Sequence, residues 1–273
     1  MNERRRVKAP WFARAVLILV LLALYGPLLV LVAGSFLEST ATGLVVTGRW
    51  FIEVFADTVL GGALLNSLIV AFCSAVCATV LGTGAAIALH RGPFPGRQVL
   101  RGLSFVSLAL PEIVFALALL SWFFLLHWHL SLVTVIAAHI TFSLSYVILT
   151  VSARLSTMDQ SLEDAARDLG AGEWHLLRRV ILPLLKPSLI AAFLLSFLLS
   201  FDDFLITFFV NGVGRDTLPI KLYTSMKMGL TPKLNALATL MWLGSALLII
   251  LAFRSPGFRD VLKAGEDKPG ENE

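Results

Sequence analysis

The sequence has little charge and almost no cysteine. Of its 273 residues, 15% are charged and 57% are hydrophobic, and the mean hydropathy is +0.83. A soluble domain of this length carries roughly a quarter charged residues. The two cysteines, Cys73 and Cys77, lie four residues apart in an apolar run, and we interpret them as small packing residues on one helix face, because a metal site needs more ligands. This composition excludes an ordinary soluble domain and favours a membrane protein.

Two other signatures are missing. The chain has no Gly-x-x-x-x-Gly-Lys-Ser/Thr phosphate loop, so it cannot bind ATP by that route. It shows no inverted repeat, the sequence pointer of many secondary transporters. The excess of basic over acidic residues is small, with 22 Lys and Arg against 18 Asp and Glu. In a membrane protein this excess indicates orientation and not a nucleic-acid partner.

Six apolar segments reach the length of about 20 residues that a helix needs to cross a bilayer. They are Ala15 to Phe36, Leu64 to Leu89, Leu103 to Leu126, Leu130 to Val151, Pro187 to Phe209 and Leu234 to Phe253. We therefore expect an all-α integral membrane protein with six transmembrane helices. The second segment is rich in small residues, including Ala71, Ala75 and Gly82, which predicts a helix packed at the centre of the bundle.

The basic residues predict the orientation of these spans. All but five of the 22 Lys and Arg residues lie in the two terminal segments and in the loops after the second and fourth spans. Cytoplasmic loops carry the excess of Lys and Arg in membrane proteins. We therefore expect both termini in the cytosol.

A polar loop between the fourth and fifth spans carries strong local signals. Ser161-Leu162-Glu163-Asp164 fits a capping box with Ser161 as the N-cap and Asp164 at N3. Gly170 predicts a helix stop in the left-handed conformation. A second helix is expected from about Gly172 to Ile181, ending before Pro183. The loop is thus predicted to form two short helices that meet at a glycine on the cytosolic face.

The same loop resembles a family motif. Asp164-Ala165-Ala166, three residues, Gly170, nine residues, Val180, one residue and Leu182-Pro183 are similar to the EAA motif of ABC importer permeases, which reads Glu-Ala-Ala, Gly, Ile and Leu-Pro at that spacing. Asp164 replaces Glu, with Glu163 beside it, and Val180 replaces Ile. The resemblance implies a type I ABC importer permease fold and a coupling loop that docks on an ATP-hydrolysing subunit. The implied coupling residues are Glu163, Asp164, Ala165, Ala166, Gly170, Leu182 and Pro183.

The resemblance also implies the domain organisation and the partners. Residues 1–59 would hold the N-terminal tail, the first transmembrane helix and an outer loop, and residues 256–273 a cytosolic tail. Residues 60–255 would form the permease core, with five transmembrane helices and the coupling loop at 152–186. The chain would be a transport subunit of the bacterial cytoplasmic membrane, without a cofactor or metal of its own and not itself an enzyme. Its implied partners are a second permease subunit in a heterodimer, two subunits that bind ATP and magnesium, and an external substrate-binding protein.

Three carboxylates lie inside the predicted spans, which contain no Lys or Arg. Glu112 would lie about 16 Å along a helix from Arg101, near mid-membrane, and Asp202 and Asp203 roughly 23 Å beyond Pro187. Charges within spans commonly line a pathway. We therefore expect a substrate pathway that favours a positively charged cargo. In a regular helix at most one of the adjacent pair would contact that cargo.

A structural role for these acids is the alternative. Asp202 or Asp203 would then be hydrogen-bonded to Ser196, Ser200 or Thr207, or to the partner subunit. His139, in the fourth span, is expected to form hydrogen bonds between helices.

Further segments resemble a narrower family. Pro111-Glu112-Ile113-Val114, Ser200-Phe201-Asp202-Asp203-Phe204 and Leu218-Pro219-Ile220-Lys221-Leu222-Tyr223 are similar to segments of the second permease subunit of spermidine/putrescine transporters. This resemblance implies a polyamine cargo. Permeases for opines, thiamine or ferric iron share the scaffold and are alternatives. An intramembrane enzyme using Glu112, Asp202 or His139, or a scaffold without transport, are alternatives from other classes.

Overall fold

The computed structural model describes residues 11–40 and 43–254, apart from the side chains of Ala252 and Phe253. The described helices are α1 (Trp11–Ser35), α2 (Arg49–Ala56), α3 (Thr58–Arg91), α4 (Arg97–Leu103), α5 (Val106–Ala109), α6 (Glu112–Leu125), α7 (Leu132–Ser156), α8 (Ser161–Asp168), α9 (Glu173–Leu176), α10 (Leu182–Phe201), α11 (Leu205–Val210), α12 (Leu218–Met228) and α13 (Pro232–Arg254). A π-helical turn, Leu177–Ile181, joins α9 to α10. The predicted tail after residue 255 lies outside the described residues.

Two short strands follow the first span. β1 (Leu37–Thr40) and β2 (Gly43–Val46) pair antiparallel, with Leu37 opposite Val46. The sequence analysis did not predict them, because strands of four residues are too short to show a clear alternation of apolar and polar residues.

The chain forms two compact units. One consists of the described parts of Met1–Thr58 and Thr224–Leu243, and the other of the described parts of Val59–Tyr223 and Gly244–Glu273. The second unit contains α3 to α11 and therefore holds the loop helices and the three intramembrane carboxylates. The domain boundaries drawn from the sequence stay a prediction.

The expected all-α membrane fold is confirmed. Five described helices or helical stretches are long and apolar enough to cross a bilayer, namely Trp11–Ser35, Thr58–Arg91, Leu132–Ser156, Glu173–Phe201 and Pro232–Leu251. A sixth span is reached when Arg97–Ala109 and Glu112–Leu125 are counted together. The six predicted spans thus correspond to five helical stretches and one broken pair.

The third span is not the continuous helix that the sequence analysis assumed. Its two parts are bent by 117°. Leu110, between them, is extended, with φ −81° and ψ 140°. The residue before a proline is driven out of the helical region by the proline ring, and Pro111 therefore ends the first part. The placement of Glu112 by its distance along one helix from Arg101 was wrong, because α6 begins at Glu112 itself.

The second loop helix was predicted to end before Pro183, and this was wrong. The helix continues from Glu173 to Phe201. Pro183 lies in the first turn of α10, directly after the π-helical turn. Because Pro183 has no N–H group to donate, the continuous helix needs a local adjustment there, and π-helical turns are one adjustment that membrane helices use. The fifth span thus begins inside the polar loop. At its other end it stops at Phe201, and α11 continues after a break.

Small residues of α3 lie in the core of the larger unit, although α7 and not α3 supplies the most buried residues to its two apolar clusters. Ala71, Ala75 and Ala78 are fully buried. At Gly82 the two helices α3 and α7 approach so closely that a Cβ atom would lie 2.7 Å from a methyl group of Val147. Because small residues let membrane helices approach closely, this contact fixes α7 against α3.

Candidate functional site

The break in the fifth span separates the two adjacent aspartates. Asp202 ends α10 and is exposed, and its Oδ1 accepts a hydrogen bond of 2.8 Å from the Ser245 hydroxyl of α13. Asp203 is 9% exposed. Its carboxylate accepts from the backbone N–H groups of Ile206, at 3.3 Å, and Thr207, at 2.8 Å. In a continuous helix these N–H groups would bond to carbonyls four residues earlier, so Asp203 replaces the backbone partners that the break removes.

His139 of α7 connects Asp203 to three further helices. Its Nε2 lies 3.1 Å from Oδ2 of Asp203 and 3.0 Å from the Thr207 hydroxyl, and its Nδ1 lies 2.6 Å from the Ser200 hydroxyl. Ser200 in turn lies 3.0 Å from the Ser74 hydroxyl of α3. We call Ser74, His139, Ser200, Asp203 and Thr207 the buried cluster. The expectation that His139 forms hydrogen bonds between helices is confirmed, as is the alternative of an Asp203 to Thr207 bond.

The buried cluster has a consistent set of proton positions. A carboxylate only accepts, so Nε2 of His139, which faces it, carries the proton. In a neutral ring Nδ1 then accepts from the Ser200 hydroxyl, while the Ser74 hydroxyl lies 2.7 Å from the Val70 carbonyl and 3.0 Å from the Ser200 hydroxyl. An unsatisfied polar group in hydrocarbon costs several kcal/mol. The cluster therefore lets a broken helix exist inside the membrane without unpaired groups at Asp203.

A serine, a histidine and an aspartate in contact resemble the elements of a hydrolase, but this arrangement is closed. Ser200, His139 and Asp203 are all buried, and the Ser200 hydroxyl lies between Ser74 and His139. A reacting carbonyl carbon must approach the nucleophile and an oxyanion donor at about 3 Å. In this structure that position at Ser200 is taken by protein, so the geometry favours a structural network over a nucleophile.

Glu112 lies next to the buried cluster but is exposed. It starts α6, and its carboxyl group is close enough to Asp203 and Tyr146 to interact with both. The ring of Tyr146 lies 5.4 Å from that of Phe142, which lies 5.8 Å from Phe115. No Lys or Arg forms an ion pair with Glu112, Asp202 or Asp203 in the part of the chain that the structure describes. The structure thus brings Glu112 and Asp203 together and places Asp202 apart, against α13.

The first loop helix, α8, begins differently from the prediction. Ser161 is its first helical residue and not the N-cap, and no capping box forms there. The Ser161 N–H group instead donates to Oδ1 of Asp159 at 2.9 Å. This hydrogen bond lowers the pKa of the Asp159 carboxyl group. A carboxylate near a helix N-terminus also interacts favourably with the helix dipole, so Asp159 can supply the acceptor that Ser161 was expected to supply.

The predicted glycine corner is confirmed. Gly170 has a φ of +81°, a conformation that glycine adopts without steric cost. Its N–H group donates to the Arg167 carbonyl at 2.8 Å, and the Ala171 N–H group donates to the Ala166 carbonyl at 3.0 Å. This pair of bonds is the Schellman arrangement that ends a helix.

The segment of the loop helices exposes some apolar side chains to solvent and packs others against the core of the larger unit. Leu176 and Ile181 are fully buried in the core of the larger unit, and Ala166 packs partly against the same core. Leu169 and Trp174 are 89% and 68% exposed. Of the residues in the motif, Asp164, Ala165, Gly170 and Pro183 face outward, whereas Glu163, Ala166 and Leu182 are half-buried.

Sequence reasoning missed several residues that complete these sites. The contact between His139 and Asp203 joins positions 64 residues apart, and nothing in the local pattern pairs them. Tyr146 lies seven residues after His139 in the same helix, so a helical projection would have placed both near one face. Arg91, at the end of α3, contacts Glu163 and Glu173 of the two loop helices.

Comparisons with known proteins assign the chain to a family. The family model described as "Binding-protein-dependent transport system inner membrane component" matches residues 78–263. The chain is 39% identical over 232 residues to the spermidine/putrescine transport system permease protein PotC of Haemophilus influenzae, covering 84% of this chain and 90% of the relative. It is 38% identical over 250 residues to the putrescine transport system permease protein PotI of Escherichia coli strain K12, covering 88% of each.

A solved structure supports the fold. In the crystal structure of a bacterial ABC transporter involved in the import of the acidic polysaccharide alginate, one chain matches with a TM-score of 0.69 at 14% identity, covering 95% of this chain and 96% of that one. The family match, the identity over most of the length and the shared fold agree. The chain belongs to the inner membrane components of binding-protein-dependent transport systems, and it is a type I ABC importer permease.

Proposed function

We propose that this chain is a channel-forming permease subunit of an ATP-driven importer of polyamines such as spermidine and putrescine. The observation that carries the cargo is the identity of 38% to 39% to permeases named for these compounds, over more than four fifths of the chain. The acidic spans without Lys or Arg support it, because a polyamine is a flexible chain with separated ammonium groups. An ammonium group is stabilised by carboxylates and by the faces of aromatic rings.

Within this proposal the three carboxylates have different roles. Glu112 contacts the cargo, since it is exposed and lies beside Tyr146 and its neighbouring rings. Asp203 adds negative charge behind Glu112 and holds the helix break, but it does not contact the cargo in this conformation because it is buried. Asp202 lines a different part of the pathway, where it is held by Ser245.

The loop helices are proposed to couple this permease to its ATPase. Both termini and the loop lie in the cytosol, as the distribution of Lys and Arg predicts. Two partner subunits bind ATP and magnesium, a second permease subunit completes the channel, and an external binding protein delivers the cargo. The exposed residues Asp164, Ala165, Leu169 and Trp174 meet an ATPase subunit, while Gly170, Leu182 and Pro183 shape the segment that presents them. Closure of the ATPase pair on ATP moves α8 and α9 and opens the cavity outward.

Uptake by the reconstituted complex tests the proposal. The complex of both permeases and both ATPase subunits is placed in liposomes with ATP inside and its binding protein outside, and accumulation of radiolabelled spermidine and putrescine is measured. We expect accumulation that depends on ATP. Parallel assays with an opine, thiamine and ferric iron cover the other cargoes, and accumulation of one of these without polyamine uptake would overturn the assignment. ATP-independent chemistry by the purified chain would instead indicate an enzyme.

A further inference from the structure

One arginine touches both loop helices. Arg91 is the last residue of α3, and its side chain is half-buried. One guanidinium nitrogen lies 2.8 Å from Oε2 of Glu173, in α9, and the other lies 3.8 Å from Oε2 of Glu163, in α8. The second oxygen of Glu173 accepts from Arg167 of α8 at 3.2 Å. We call Arg91, Glu163, Arg167 and Glu173 the ionic brace.

The brace joins the ends of three helices, and the charge of each member suits the helix end at which it lies. Glu163 and Glu173 lie in the first turns of α8 and α9, and Arg91 lies in the last turn of α3. Acidic groups are favoured near helix N-termini and cations near C-termini. A guanidinium is also planar and carries donors on both ends, so it can contact two carboxylates at once. A lysine in this place has a single ammonium group.

Apolar packing alone does not fix α8. None of its eight residues is buried, and Ala166 is the residue that packs partly against the core. In contrast, the segment after Gly172 is anchored by Leu176 and Ile181, both fully buried. Exposed ion pairs contribute only about 0–1 kcal/mol to stability. The brace therefore does little to hold the fold together, but it fixes the direction of the helix that packing leaves weakly held.

We propose that Arg91 is a positioning residue for energy coupling, which transmits movement of α8 and α9 to α3. This inference rests on the proposed function of the loop helices. α3 is one continuous helix, and it carries Ser74 of the buried cluster about 25 Å from Arg91. A displacement of the loop helices is passed through the guanidinium to α3, and through Ser74 and Ser200 to the break at Asp202. Without the brace, α8 turns on the glycine corner and the movement is lost.

Variants of Arg91 in the full complex test this role. For each variant we would measure ATP hydrolysed per radiolabelled cargo molecule imported into liposomes, together with the unfolding temperature. We expect Arg91→Ala to lower import about tenfold, in the range of known coupling energies, while ATP hydrolysis stays within about twofold of wild type. Arg91→Lys should recover part of the loss. Arg101→Ala is the matched control, since Arg101 is an exposed arginine on α4 without an ion pair among the described residues.

A double-mutant cycle separates positioning from folding. Arg91→Ala and Glu173→Ala should each raise the ratio of ATP to cargo, and the double variant should raise it by less than the two effects combined, because either single change already removes the pair. A wild-type ratio in Arg91→Ala would overturn the inference, as would a parallel loss of import and ATP hydrolysis with a lowered unfolding temperature. The wild-type complex reports separately on the proposed function, and the ratio is measured with whichever cargo that complex imports.

Discussion

The ionic brace and the buried cluster use similar groups in opposite surroundings. Glu173 is 67% exposed on its side chain and pairs with two arginines, whereas the Asp203 side chain is 5% exposed and is held by one histidine, one hydroxyl and two backbone N–H groups. In water a broken ion pair is solvated at once, and in hydrocarbon it is not. The brace can therefore orient α8 while contributing little to the stability of the fold, whereas loss of one partner in the buried cluster leaves a buried polar group unsatisfied. The two sets of contacts differ in energetic cost because one is exposed and the other is buried.

The largest effect on stability is expected from Asp203→Ala. This change removes the acceptor for His139, Thr207 and Ile206, and each buried group left unsatisfied costs about 1–3 kcal/mol. We expect a loss of about 3 kcal/mol or more in the free energy of unfolding, measured by denaturant unfolding of the purified chain in detergent. Asp202→Ala is the control, with a much smaller loss, because Asp202 is exposed and its carboxylate accepts one hydrogen bond, from Ser245, within the described part of the chain. Equal losses from the two variants would contradict the distinction between them.

The next effect separates stability from transport. Glu112→Gln keeps the size of an exposed side chain but removes its charge. We expect import of spermidine to fall about tenfold, which corresponds to the loss of an interaction of about 1.4 kcal/mol with the cargo, with an unchanged unfolding midpoint. Import assays and unfolding curves on the same preparation check both parts. Normal uptake by this variant would mean that Glu112 does not contact the cargo.

A third prediction concerns the loop helices. Ala166→Arg places a long charged side chain where α8 packs on the core, and it should lower import several-fold while the ATPase subunits still hydrolyse ATP. Ala165→Arg is the matched comparison, because Ala165 faces outward toward the proposed ATPase contact. We expect Ala165→Arg to weaken association of the ATPase subunits in pull-down assays, and Ala166→Arg to leave association closer to wild type. Normal transport by Ala166→Arg would contradict the proposed coupling role.

The polar loop and the buried cluster also differ in how much of each could be predicted from the sequence. The loop was found because its signals are local. A glycine that ends a helix and a motif spread over 20 residues are both visible in one stretch of chain. The capping residue was wrong because Asp159 and Ser161 are both good acceptors at a helix start, and the sequence does not rank them.

The buried cluster could not be predicted in the same way. Its members come from four helices, and the pairing of His139 with Asp203 depends on how α7 packs against the break. The break in the third span had a local signal, Pro111, but a count of apolar residues does not register a proline. Both helix breaks lie next to acidic residues, at Pro111-Glu112 and at Asp202-Asp203, but the acids were interpreted as pathway residues and not as a sign of irregular backbone.

The smallest effect is expected at the start of α8. The pKa of Asp159 is lowered from its ordinary value of 3.8 by the hydrogen bond from Ser161, so the charged form is favoured in the folded protein. A carboxyl group with a lowered pKa stabilises the fold above its ordinary pKa, and this contribution is lost as the pH falls through the lowered value. Asp159→Ala should therefore give a slightly lower unfolding temperature at pH 7, and the difference from wild type should begin to shrink below about pH 3.8, the ordinary pKa, and vanish once the pH is below the lowered value. Because Asp159 is fully exposed, salt should also reduce the difference. A difference that persists at low pH would show that the side chain acts through packing and not through its charge.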